Sequence, residues 1–359
     1  MSVLTLTIDG QVYSGWTTIR VTSGLEDGAS DFDVEVTERW AEQPTPWQIQ
    51  LFQSVTIAID GTVILTGYVE RYEPSYNKEG HTVRIAGRSK TCDIIDCMPN
   101  IAGSFQDQTL DAIANAMAAP FGISVVVQCP MGDAFPSAIL EQTETAHSAL
   151  EKLARMRSVL ITDDANGNLV LTQAGLGGAS STSLVEGQNI LEARATLACN
   201  DRYQTYVVMG QAPLPLDGKE PLLDTLGSAT DSSCPRPRRF AEHAEQAADD
   251  TNANERALWR ALHNAGKGTQ ATITVQDWYQ TSDGSLWQKN QTVSVQSPML
   301  ELSRPLLVGR VTFLLDDTGG RRTELMLAPQ EAFIPDAKGA NSGQGSNAIW
   351  NGAQKITGS

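Results

Sequence analysis

The stretch from Trp47 to Tyr72, WQIQLFQSVTIAIDGTVILTGYVERY, constrains the fold more than any other part of the chain. Val55, Ile57 and Ile59 alternate with Thr56, Ala58 and Asp60, the Asp60-Gly61 pair follows, and Val63 to Val69 runs back. Period-2 alternation around Asp-Gly predicts a β-hairpin, because a two-residue loop needs backbone angles that these two residues accept readily. A similar arrangement returns near the other end. Trp287-Gln288 precedes Val293-Ser294-Val295 as Trp47-Gln48 precedes Val55-Thr56-Ile57. Leu306-Leu307-Val308-Gly309-Arg310-Val311 then parallels Ile64-Leu65-Thr66-Gly67-Tyr68-Val69. The spacing from Trp47 to Gly67 is 20 residues, and from Trp287 to Gly309 it is 22. With Trp47, Gly67, Trp287 and Gly309 as markers, the chain is expected to carry two related β units. The alternative is chance, since all hairpins reuse Val, Thr and Gly.

The rest of the chain fits around that pair. Leu4, Leu6 and Ile8 alternate before an Asp9-Gly10 turn, Tyr13 to Val21 follows, and Phe32 to Thr37 and Thr82 to Gly87 read as further strands. Six strands within the first 90 residues suit a small barrel or sandwich. Helical periodicity appears after residue 91. Leu110, Ile113, Ala114 and Met117 mark a helix over 107–119, stopped by Pro120 and Gly122, and a second helix is expected over 143–158. A strand at 123–128 and a hairpin of 159–162 with 169–172 complete a small α/β module. The Gly- and Ser-rich run 175–183 is its exit linker.

The expected fold class is therefore mainly β with an α+β insertion. The first β domain covers 1–96, with strands from 189–212 as a possible completion. The inserted α/β domain covers 97–178, and the second β domain covers 179–335 with a helix at 241–264. Residues 336–359 form a Gly/Ser-rich tail, and the Pro-rich stretch 213–237 is expected to cover a surface or reach a neighbour.

Chemistry is sparsely signalled. The four histidines (81, 147, 243 and 263) show no metal-ligand spacing, and His147 is expected at the solvent edge of its helix. Five cysteines make no disulfide framework and point to a reducing setting. Asp164, Asn166 and Asn168 offer the alternate oxygens of a calcium loop, but counted from Asp164 glycine comes at the fourth place and Gly175 stands at the twelfth, where a bidentate Glu is needed, so Asp163 to Asn168 is expected to be only a hairpin turn. No phosphate-binding, dinucleotide or nucleophile-elbow motif is present, so the expectation is no enzyme, no cofactor and no metal. A net charge of −16 argues against holding nucleic acid by its phosphates. No apolar run is long enough for a membrane helix, and the start of the chain alternates where a secretory leader would be apolar.

Tyr13-Ser14-Gly15-Trp16, Gly67-Tyr68-Val69, Pro74-Ser75-Tyr76 and Gly87-Arg88-Ser89-Lys90-Thr91, together with ALEKLARMRSVLITDDANGNLVLTQAG at 149–175, resemble the Mu-type baseplate hub family of contractile-tailed bacteriophages. The similarity covers most of residues 3–175, and the chain departs from it at 213–237 and in the tail. The resemblance implies a homotrimer whose chains each carry two tail-tube-like β-barrels. The resulting pseudo-sixfold ring would join a threefold central spike to a sixfold tail tube. It implies a spike protein, a tube or adjoining tail protein and a tape-measure protein as partners, with DNA only in transit. Location in the virion baseplate, after assembly in host cytoplasm, is part of the same expectation. A carbohydrate- or receptor-binding tail protein and a hub-associated cell-wall hydrolase are the alternatives. Glycan binding would need exposed tryptophans, whereas Trp16, Trp40, Trp47 and Trp287 adjoin expected strands and should pack inward.

Overall fold

The computed structural model describes residues 3–37, 49–78, 80–99, 104–141, 143–209, 225–243, 250–280 and 284–335. The first β unit comprises β1 (Leu4–Ile8), β2 (Gln11–Tyr13), β3 (Thr18–Gly24), β4 (Asp31–Thr37), β5 (Ser54–Ile59), β6 (Thr62–Tyr76) and β7 (His81–Ser89). Seven strands form where six are expected, because the 13–21 stretch breaks around Gly15, whose φ of 87° takes it out of the ladder. Asp60 and Gly61 both have positive φ (47° and 84°), the pair of angles that a two-residue hairpin loop requires. The strands lie in the order β2-β1-β5-β6-β7-β4-β3. Alternation dictates the packing: Leu4, Leu6, Ile8, Val55, Ile57, Ile59, Val34 and Ile85 all turn into one core.

The middle module holds α1 (Cys92–Asp96), β8 (Ser104–Gln108), α2 (Leu110–Ala118), β9 (Val125–Val127), β10 (Phe135–Ile139), α3 (Ala146–Arg155), β11 (Leu160–Asp163) and β12 (Leu169–Thr172). α2 begins three residues later than expected, since Asp107 (φ 49°) and Gln108 belong to β8, which pairs with β10. Its periodic face is nevertheless the one read from sequence: Leu110, Ile113, Ala114 and Met117 are buried. Thr145 caps α3 by accepting from the Ser148 backbone N at 3.2 Å, so that helix also starts later than expected. β11 and β12 form the expected hairpin, with β9 added parallel to β12.

The second half comprises β13 (Leu184–Val185), β14 (Ile190–Leu197), β15 (Thr205–Met209), β16 (Thr225–Thr230), β17 (Arg239–His243), α4 (Asp250–Lys267), β18 (Thr269–Gln276), β19 (Thr292–Ser297), β20 (Leu302–Asp316) and β21 (Gly320–Ala328). Two expectations are corrected here. Strands from 189–212 do not complete the first unit: β14 pairs with β18, and β15 lies in a separate sheet between β16 and β17. The 241–264 helix does not begin at 241, because Ala241 to His243 end β17, where Phe240 packs with Tyr203 and Tyr206; α4 runs from Asp250. β16 also falls inside the stretch read as turn-rich connection, while 210–224 and the 336–359 tail lie outside the described residues.

The two β units correspond over five strands, β3 to β7 with β14 and β18 to β21. β5, β6 and β7 contain 6, 15 and 9 residues, and β19, β20 and β21 contain 6, 15 and 9. The neighbour order β5-β6-β7-β4-β3 repeats as β19-β20-β21-β18-β14, and β13 lies beside β19 as β1 lies beside β5, but parallel to its partner where β1 is antiparallel. Each long central strand carries a bulge, between Val69 and Arg71 in β6 and between Val308 and Arg310 in β20. These bulges equate Val69 with Val308 and Arg71 with Arg310. Gly67 then corresponds to Leu306, and Gly309 to Glu70, so the Gly67–Gly309 match seen in sequence is not the structural equivalence. The two glycines also serve different ends. A Cβ on Gly67 would lie 1.9 Å from the Arg88 carbonyl oxygen, and one on Gly309 would meet the Phe333 ring at 2.4 Å. Trp287 is buried, whereas Trp40 and Trp47 lie outside the described residues.

Candidate functional site

The geometry that sets this molecule apart lies in two joints between its units. One is a seam. β20 outruns β19, which ends against Leu307, and from Arg310 to Leu315 it pairs instead with β3, Arg310 opposite Gly24 and Leu315 opposite Ile19. The Leu25 backbone N donates to the Gly309 carbonyl at 2.7 Å and extends the ladder by one step. A bidentate ion pair closes that end, with Arg310 Nε donating to Asp27 Oδ2 at 2.9 Å and Arg310 Nη2 to Asp27 Oδ1 at 2.8 Å. The two units thereby share one sheet and one hydrophobic core, in which Val21 and Ile19 join Val311 and Phe313.

The second joint is where all three parts of the chain meet. Asp163, at the end of β11, is buried, and its carboxylate accepts from the Ser30 backbone N at 2.8 Å and from Ser30 Oγ at 2.9 Å. Lys289 Nζ donates to the same carboxylate at 2.6 Å, to Thr162 Oγ1 at 2.8 Å and to the Gly24 carbonyl at 3.3 Å. Thr162 Oγ1 also donates to Gly24 O at 3.0 Å. A buried carboxylate needs both a counter-charge and hydrogen-bond donors, and here each comes from a different unit. Beside it, Asn290 (φ 67°) accepts from the Gly175 backbone N at 2.6 Å and donates to Gln173 O at 2.9 Å, fixing the start of the 175–183 linker. From the sequence alone Asp163 reads only as the first residue of a turn. Its neighbour Asp164 is the turn residue, accepting from the Asn166 and Asn168 backbone N atoms at 2.9 and 3.0 Å.

Histidines and cysteines, the side chains most suited to chemistry, are dispersed. His147 is half-buried, not at a solvent edge, and burial lowers its pKa below the ordinary histidine value. It shares a cleft with Glu26, Glu151 and His263. His263 stacks on Trp259 with ring centroids 4.8 Å apart, and burial pushes its pKa down to about 4. His81 and His243 lie elsewhere, on β7 and β17. Burial raises the Cys92 and Cys129 thiols to about 12 and about 11, which keeps them from acting as nucleophiles at neutral pH. Among the described residues no three metal-ligating side chains converge, and no described helix is long and apolar enough to cross a membrane. Trp16, Trp278 and Trp287 sit in the core, so none of them offers a sugar-stacking face.

Comparison with known proteins gives a consistent picture. Residues 3–89 match the family described as Mu phage baseplate assembly protein GpP-like, N-terminal. Residues 91–173 match the second domain of baseplate hub protein gp44-like, and 249–336 match the fourth domain of Mu phage baseplate assembly protein GpP. The chain is 29% identical to baseplate hub protein gp44 of Escherichia phage Mu, over 97% of this chain and 95% of that protein. It resembles the crystal structure of a 43 kDa tail protein of prophage MuSo2 from Shewanella oneidensis at 31% identity and a TM-score of 0.81, covering 93% of this chain and 99% of the other. A tail protein from Neisseria meningitidis MC58 shares the fold at 20% identity and a TM-score of 0.76, covering 94% and 99% of the two chains.

Proposed function

Because the chain belongs to the Mu-like phage baseplate hub family, we propose that it works as a homotrimeric ring at the centre of a tail baseplate, a structural part and not an enzyme. Each chain would supply two quasi-equivalent β units. Three chains then present six similar sectors toward a sixfold tail tube, while exact symmetry remains threefold toward a central spike. The observation that carries this reading is the correspondence of five strands between the two units, in their order and in the lengths of the central three. A lone binding module has no need of two copies of one sheet joined edge to edge, whereas an adaptor between threefold and sixfold neighbours does.

The ring's partners are a spike protein on one side and a tube or adjoining tail protein on the other, with a tape-measure protein and DNA passing through the lumen. An acidic chain, at −16, repels phosphates and so suits a conduit that must not retain DNA. Assembly takes place in the host cytoplasm and the product resides in the virion baseplate. Electron microscopy of the purified full chain tests the reading: class averages should show a ring with six lobes and threefold symmetry, and compact particles without a central opening would contradict it.

A further inference from the structure

The approaches to β5 and to β19 form one corner built twice. With Val69 equivalent to Val308, Phe52 takes the place of Asn290 and Leu51 that of Lys289. The backbone repeats closely. Phe52 N donates to Val69 O at 2.8 Å and Val69 N to Gln53 O at 3.0 Å, as Asn290 N donates to Val308 O at 2.8 Å and Val308 N to Gln291 O at 2.8 Å. Both corner residues have left-handed backbone, φ 71° at Phe52 and 67° at Asn290, and the residue three places earlier, Ile49 or Trp287, is buried in each unit. What the two corners carry differs. Asn290 is 7% exposed and Lys289 reaches Asp163, because the end of β11 and the linker backbone from Gln173 to Gly177 lie over them. Leu51 is 49% exposed and Phe52 86%.

Conformational preference does not put Phe52 there. Positive φ suits an asparagine and strains a bulky side chain, and an outlier of this kind points to a use for the ring itself. The loop also holds the ring out rigidly. Gln53 Oε1 accepts from the Gln50 backbone N at 2.7 Å, and Gln53 Nε2 donates to Asp9 Oδ2 at 2.7 Å, so one side chain ties the corner to the β1–β2 turn.

Resting on the ring reading above, we infer that Leu51 and Phe52 are the seat for an apolar loop of the central spike, one loop per chain. A ring of three chains contains each form of the corner three times. The Lys289–Asn290 corners are filled by their own chain's middle module, and the Leu51–Phe52 corners are bare. A sixfold tube would meet two unlike corners in alternation, whereas a threefold spike finds three identical ones. The chemistry of the occupant follows from the residues. At the second-unit corner the Asn290 amide reads backbone groups of the linker, accepting from Gly175 N and donating to Gln173 O. Leucine and phenylalanine offer no such bonds, so the first-unit corner holds its occupant by burying apolar surface. A rigid, exposed aromatic is the kind of side chain on which binding energy concentrates.

The test titrates the full chain with the spike protein of the same phage, each purified alone, and follows binding by calorimetry. Phe52→Gly removes the ring at a position whose φ glycine accepts freely. Melting temperature and trimeric mass should stay as in the parent, while affinity for the spike falls about tenfold or more. Phe52→Asn, which copies the second-unit corner, should do the same. Met299→Ser removes another exposed apolar side chain and should change neither stability nor binding. Unchanged spike affinity in both Phe52 variants overturns the inference and leaves the ring reading intact. So does loss of binding to the purified tail tube protein with the spike contact kept. A lower mass of the Phe52 variants would assign the corner to a contact between copies of the chain and overturn the inference as well. A trimeric parent that binds no spike overturns it together with the spike half of the proposed function, and a monomeric parent that binds no spike overturns the ring reading too.

Discussion

Lys289 and Asp163, 126 residues apart in the chain, meet at 2.6 Å with the carboxylate fully enclosed, and around them the two β units and the middle module lock together. Removing the lysine leaves Asp163 a buried anion with only the Ser30 donors. Lys289→Met should therefore lower stability by about 3–5 kcal/mol, the usual cost of orphaning one partner of a buried pair. Urea unfolding checks this, and a loss under about 1 kcal/mol would show the joint to be peripheral.

The two marker glycines should respond differently to alanine. At Gly67 the added Cβ would press on the Arg88 carbonyl and the Ser89 Cα, backbone atoms that cannot move without opening the β6–β7 ladder. At Gly309 it would press on the Phe333 ring, a side chain that can rotate. Gly67→Ala is expected to cost about 3 kcal/mol and Gly309→Ala about 1 kcal/mol, at the two ends of the range for overpacking. Thermal melts of the two variants rank them directly.

Acid should destabilise the chain partly through His263. Its pKa of about 4 in the folded chain lies below the ordinary 6.5, so the unfolded chain binds a proton first as pH falls. Its contribution is unchanged above pH 6.5 and is lost progressively as pH falls from 6.5 to about 4. His263→Gln should thus flatten the melting temperature against pH in that window relative to the parent, and parallel curves would contradict the assignment.

Thiol labelling reads burial directly. At pH 8 the Cys92 and Cys129 thiols, raised to about 12 and about 11 by burial, should resist iodoacetamide, while Cys97 reacts. Cys199 is exposed as well and should react alongside Cys97. Peptide mass spectrometry after labelling tells the two pairs apart, and equal labelling of Cys92 and Cys97 would contradict the burial.

Local signals carried far in this sequence. Asp60-Gly61 fixed a hairpin because its φ requirement is met within two residues, and α2 showed its face because Leu110, Ile113, Ala114 and Met117 need only helical geometry to line up. The Gly67–Gly309 match led to the right strands three residues out of register, because a short run of Leu, Val and Gly accepts more than one alignment and only the ladder pairing fixes one. The start of α4 was misread because Ala241 to His243 are helix-compatible, and only pairing with β15 makes them a strand. The Lys289–Asp163 joint left no sequence signal at all: neither residue type, spacing nor periodicity announces a contact made by three distant segments.

The most direct measurement is the solution mass of the full chain by light scattering over a concentration series. A hub built as proposed should hold three copies, with the mass approaching that value as concentration rises. A chain that remains monomeric at every concentration, or that settles into twofold dimers, would contradict it.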